Sequence, residues 1–106
     1  MPVRTYIVDI AGGTATATVQ MQGKQTFNQV TVNGVSAAAG SYEVSKSPTS
    51  QIGTAQPTAD VIARYRVSGT AGAFAQVIPA KFSVVAFESI YVHCTGAGNV
   101  GEVILS

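Results

Sequence analysis

Apolar and polar residues alternate along this chain with few faults. In Thr14–Gln22, Ala15, Ala17, Val19 and Met21 fall on one parity, and Thr14, Thr16, Thr18, Gln20 and Gln22 on the other. Successive side chains of a strand point to opposite faces, so this run predicts a half-buried antiparallel strand. Arg4–Ile10 predicts a strand before it, with Tyr6, Val8 and Ile10 on one parity, broken by Gly12-Gly13. Further strands are predicted over Gln25–Val32, Val35–Ala38, a short piece around Tyr42 and Val44, Val61–Ser68, Ala73–Ile78, Lys81–Phe87, Ser89–Thr95 and Glu102–Leu105. Within Gln25–Val32, Asn28, Val30 and Val32 share one parity, and Phe27, Gln29 and Thr31 the other.

The breaks between strands also carry predictions. Asn33-Gly34, flanked by Val32 and Val35, predicts a type I′ hairpin, because that turn needs positive φ at both central residues. Pro79 predicts the end of the strand before it. Gly69–Gly72 and Gly96–Gly101 predict turns. Eight or nine short strands at roughly ten-residue spacing predict one antiparallel β-sandwich over residues 1–106, jelly-roll-like in arrangement.

One segment departs from the pattern. Ser45–Asp60 is rich in Ser, Thr, Gln, Gly and Pro, with Ile52 its one large apolar residue. A loop of this length is usually functional or mobile. It reads as a plain surface excursion, or as an arm laid across a neighbouring subunit with Ile52 as anchor. Thr58-Ala59-Asp60 offers a cap for a single helical turn.

Composition sharpens the fold class. Of 106 residues, 15 are Val, 7 Ile and 11 Thr, against a single Leu, Leu105. Such β-branched side chains are stiff at χ1 and favour a pleated surface over a helix. Charged residues make up only 10% of the chain, against about 25% in ordinary soluble domains. Six Lys+Arg against five Asp+Glu leave a formal charge of +1, which argues against a nucleic-acid binder driven by bulk charge. The apolar fraction is 46% and the mean hydropathy +0.29, so disorder is not expected. A small neutral monomer would account for this; charges are also depleted at interface cores, and the favoured expectation is a surface covered by copies of the chain or by other proteins.

Val84–Phe87 is far shorter than the about 20 residues needed to span a bilayer, so no membrane partner is expected. Met1-Pro2-Val3-Arg4 lacks the pattern of a signal peptide, and the single cysteine, Cys94, forbids an intrachain disulfide. Both suggest synthesis in a reducing cytoplasm.

The motifs for chemistry are weak. Gly96-Ala97-Gly98-Asn99-Val100-Gly101 matches G-x-G-x-x-G, but no helix or acidic residue follows at the needed distance. No nucleotide or other cofactor is expected. His93 and Cys94 are adjacent on a strand and point to opposite faces, which argues against a metal site or a Cys–His dyad. The expected arrangement is a buried thiol beside an exposed or interface histidine. Asp9, Glu43, Asp60, Glu88 and Glu102 are scattered, no G-x-S-x-G elbow occurs, and no catalytic residue is assigned. Arg64 and Arg66 share one strand face and suit an intersubunit carboxylate or a phosphate, with Glu88 or Asp60 as acceptor. Ile52, Arg64, Arg66 and His93 are thus the candidate interface residues.

Gly12–Gln22, the Asn33-Gly34 pair, the Ser45–Asp60 loop and the Phe82–Ser106 tail together give a Gly/Ala/Thr/Val-rich, charge-poor, many-stranded chain. In this it resembles the small all-β virion proteins of bacteriophages, such as capsid cement, decoration or spike proteins. The resemblance implies a virion location, a homo-oligomer such as a trimer, and capsid-shell subunits as partners. The rival reading is a carbohydrate- or receptor-binding sandwich. Such modules commonly present aromatic platforms, whereas here there is no Trp, and Tyr6, Tyr42, Tyr65 and Tyr91 fall one per strand.

Overall fold

A computed structural model describes residues 6–10, 15–50, 52, 60–68, 72–96 and 98–106, with side chains from Ala17 onward. The Gly12-Gly13 break, the cap at Thr58-Ala59, the centre of the long loop at 53–59 and the turn at 69–71 lie outside the described residues. The strands are β1 (Tyr6–Ile10), β2 (Ala15–Gln20), β3 (Gln25–Ser36), β4 (Ala39–Ser45), β5 (Val61–Ser68), β6 (Gly72–Val84), β7 (Ser89–Cys94) and β8 (Val100–Leu105). They form two antiparallel four-stranded sheets, in the orders β1-β8-β3-β6 and β2-β7-β4-β5.

Within these orders β1 pairs β8, β2 pairs β7, β3 pairs β6 and β4 pairs β5. That is one long hairpin, with β4 and β5 at its tip, wound into two facing sheets: the eight-stranded jelly roll. β6 and β5 are edge strands on one flank of the sandwich.

The core lies between the sheets. Phe27, Val30, Val32, Val84, Val103 and Leu105 from the first sheet meet Tyr42, Val44, Ala63, Val67, Ile90, Val92 and Cys94 from the second, with Met21 just beyond β2. The alternation predicted over Thr14–Gln22 matches this burial: Ala17 and Val19 pack on the core while Thr18 and Gln20 are exposed. Ile90, Val92 and Cys94 face inward, as their shared parity requires.

Three local predictions are corrected. Phe27, expected on the face opposite Val30 and Val32, is buried with them. A bulge between Phe27 and Gln29 restores it to the inner face. The amides of Asn28 and Gln29 both donate to the Ser106 carbonyl, at 2.8 and 3.0 Å, so two residues oppose one.

Asn33-Gly34 forms no hairpin. β3 runs straight through it to Ser36, paired on both sides. Gly34 lies opposite Gly101 of β8, and a Cβ on Gly34 would stand 2.2 Å from the Val100 carbonyl oxygen and 3.2 Å from the Phe74 ring. The glycine serves close strand approach rather than a turn.

Pro79 does not end its strand either. β6 carries it to Val84, with Pro79 opposite Gln29 at the bulge. An edge strand at a register shift is where proline's missing amide is tolerated. The chain turns only after Val84, and Phe87 adopts a φ of 66°.

Tyr42 and Cys94 are register partners on the inner face. The Tyr42 hydroxyl donates to the Val100 carbonyl at 3.1 Å. Burial, with smaller contributions from the Cys94 charge and hydrogen bond, raises the Tyr42 pKa from 10.0 to about 12, and burial pushes the Cys94 thiol up as well. The folded chain therefore holds these protons more tightly than the unfolded one. This stabilisation is complete below the unfolded values of 9.0 and 10.0 and is lost as pH rises toward about 12. Urea unfolding followed by circular dichroism is expected to show a midpoint that falls from about pH 9 upward, with a shallower fall in Tyr42→Phe. An unchanged midpoint up to pH 12 in the wild type would contradict this assignment.

Candidate functional site

The sheet order places two polar features near β5. The first is a row across the outer face of the second sheet. His93 of β7 lies opposite Glu43 of β4, which lies opposite Arg64 of β5. Glu43 is 0% exposed and His93 2%. The Arg64 Nε donates to Glu43 Oε2 at 2.9 Å, and a buried carboxylate of this kind requires such a partner. His93 Nε2 stands 3.0 Å from the Ser47 carbonyl; a carbonyl only accepts, so this nitrogen carries the proton.

The start of the long loop covers this row. β4 extends through Ser45, so the loop begins at Lys46, whose amide donates to the Asp60 carbonyl at 2.9 Å and closes the neck. Ser45 Oγ accepts from the Ser47 amide at 2.9 Å. Lys46 Nζ donates to the Ser83 carbonyl at 2.6 Å and stands 3.4 Å from Glu88 Oε1.

These contacts revise the sequence expectations. His93 is buried under its own chain rather than exposed. Within its own chain Arg64 pairs with Glu43 of the neighbouring strand, because register sets cross-strand neighbours and sequence distance does not. Cys94 points into the core, away from His93, as their alternation requires. Among the described residues, no three His, Cys, Asp or Glu side chains stand together as a metal site. Ile52 is half-buried, and the arm assigned to this loop runs through residues 53–59, outside the described set.

The second feature is a cavity of about 370 Å³ on the flank where the edges of β5 and β6 face each other. Tyr65, Val67 and Phe74 line it together with Ser36, Arg66 and Ser68. The Tyr65 and Phe74 rings are 5.2 Å apart, and Phe74 also lies 5.4 Å from Tyr42. Two of the tyrosines read as dispersed along the chain, Tyr42 and Tyr65, thus meet at one phenylalanine, while Tyr91 stacks on His93. Ser36 is 4% exposed, and its Oγ has no hydrogen-bond partner. Arg66 is exposed and, among the described residues, forms no ion pair, unlike Arg64. Sequence reasoning singled out Arg66 but not Ser36 or Phe74, since nothing local to either residue marks it.

No protein-family model and no curated protein matches the chain. Among solved structures, it is similar to a family 6 carbohydrate-binding module whose binding sub-sites were dissected by X-ray crystallography and isothermal titration calorimetry. The TM-score is 0.53 at 16% sequence identity, over 97% of this chain and 86% of that one. At that identity the likeness is one of fold.

Proposed function

We propose that this protein is a structural subunit of a protein assembly, of the kind that decorates or cements a capsid shell, working through the outer face of its β1-β8-β3-β6 sheet. The observation that carries this reading is the chemistry of that face. Register places Val100, Val35 and Ala73 in one row, Glu102, Asn33 and Ala75 in the next, and Ile104, Thr31 and Val77 in a third. Val35 is 48% exposed, Val77 51% and Val100 38%, and Glu102 is the one ionic side chain of the nine. Val35 and Val100 are exposed cross-strand neighbours, Val77 is exposed two rows away, and exposed valines on a face with one charge suit protein contact rather than water.

The adjoining edge supports the same reading. Long exposed edge strands are usually blunted by charge or proline; β6 has Pro79 and Lys81 in its second half, while Gly72–Ile78 holds neither. The jelly-roll topology is one that viral capsid and lectin domains share, which supports the reading by analogy of fold alone.

Analytical ultracentrifugation from micromolar to millimolar chain tests it. The wild type is expected to associate reversibly, and Val77→Lys to weaken association at least about tenfold, since a lysine must lose water to enter the contact. A wild type that stays monomeric throughout, or a Val77→Lys variant that associates equally well, would overturn the proposal.

A further inference from the structure

We infer that a second copy of this chain adds to the free edge of β6, strand against antiparallel strand, about a two-fold axis at Ala75. The inference deepens the assembly reading and rests on it, but it uses the edge of the first sheet rather than its outer face.

Hydrogen-bond alternation decides which backbone groups the edge offers. Gln29 and Ser106 exchange both amide-to-carbonyl bonds, at 3.0 and 3.2 Å, so Gln29 bonds toward β8. Along an antiparallel strand the bonding side alternates from one residue to the next. Val30, Val32 and Gly34 therefore bond toward β6, to their register partners Ile78, Gln76 and Phe74. That turns the amides and carbonyls of Ala73, Ala75 and Val77 outward, on the side where β6 has no neighbouring strand. In line with this, the Val77 carbonyl accepts from the side chain of Gln76, Nε2 to O at 3.3 Å.

The open stretch has a defined extent. Pro79, on the same parity, has no amide to offer, Lys81 carries charge, and the Ser83 carbonyl already accepts from Lys46 Nζ at 2.6 Å. Gly72–Ile78 remains open, with Gly72, Ala73, Ala75, Gln76 and Val77 exposed. A two-fold axis at Ala75 uses every outward residue of that stretch. Ala73 pairs with Val77 of the second copy, Ala75 with Ala75 and Val77 with Ala73, each pair exchanging two bonds. The same register sets large side chains against small or flexible ones: Val77 beside Ala73, Phe74 beside Gln76 and Ile78 beside Gly72. Gly72–Ile78 holds no ionic side chain, so no like charges from it meet across the axis. This self-complementarity selects a copy over a foreign strand, and the pairing joins two four-stranded sheets into one.

Amide hydrogen exchange of the full chain, followed by NMR from micromolar to millimolar concentration, tests the edge directly. The amides of Ala73, Ala75 and Val77 are expected to exchange freely in dilute chain and to slow at least about tenfold as the dimer forms, while those of Phe74, Gln76 and Ile78 are protected throughout. Ala75→Pro removes an outward amide, and is expected to keep the fold and to weaken dimerisation at least about tenfold in ultracentrifugation. Val100→Lys, on the outer face away from the edge, is expected to leave the edge dimer in place. The inference fails if the chain stays monomeric, if association protects other amides and not these three, or if a folded Ala75→Pro dimerises as well as the wild type. Should Ala75→Pro not fold, the wild-type exchange pattern decides alone. Dimerisation lost in Val100→Lys but kept in Ala75→Pro overturns the edge and leaves the outer-face reading standing; the converse supports the edge.

Discussion

Asn99→Ala is expected to lower the unfolding free energy by about 3 kcal/mol, a large share of the roughly 5–15 kcal/mol of a typical domain. Asn99 is 0% exposed and holds two segments together with four hydrogen bonds. Its Oδ1 accepts from the amides of Ala37 and Ala38 at 2.7 and 3.0 Å. Its Nδ2 donates to the carbonyls of Ala38 and Thr95 at 2.9 and 3.1 Å. Alanine removes all four bonds and leaves those backbone groups without their partner. Asn99→Asp separates the halves of the effect: it keeps an acceptor for the two amides but loses both donors, and it buries a charge. At neutral pH it is therefore expected to be no better than alanine, and to recover on acidification as the carboxyl takes up a proton. Urea unfolding at pH 7 and pH 4 measures both, and an alanine variant within about 0.5 kcal/mol of wild type would show that Asn99 does not hold these segments together.

Gly34→Ala is expected to cost about 3 kcal/mol for a different reason, overpacking against backbone. The new Cβ would stand 2.2 Å from the Val100 carbonyl oxygen, and neither β3 nor β8 can retreat without parting from the other. Gly101→Ala meets the reciprocal obstacle, a Cβ 2.2 Å from the Asn33 carbonyl oxygen. Because the two glycines face each other, one parting of the strands relieves both, and the double variant is expected to cost less than the sum of the singles. Gly23→Ala is the control: nothing lies within 4 Å of its Cβ, and a change within about 0.5 kcal/mol is expected. Thermal and urea unfolding of the four variants decides it. A Gly34→Ala variant as stable as Gly23→Ala would show that the two strands tolerate a wider spacing.

By itself the sequence determined the all-β class, the sandwich, most strand positions and most of the inner face. Period-two burial is a local property of any strand with one wet side, and it shows in Ala17 and Val19 of β2 and in Ile90, Val92 and Cys94 of β7. Tertiary structure alone decided what Asn33-Gly34, Pro79 and Phe27 do. Each is a local signal that non-local pairing overrides: a close β3–β8 approach, an edge position, and a bulge closed by the Ser106 carbonyl. The same cause set the partner of Arg64 and brought Ser36, Tyr65, Arg66 and Phe74 around one cavity. Register within the β4–β5 pair sets the first, and Ser36 reaches β5 and β6 only because the hairpin is wound into two sheets.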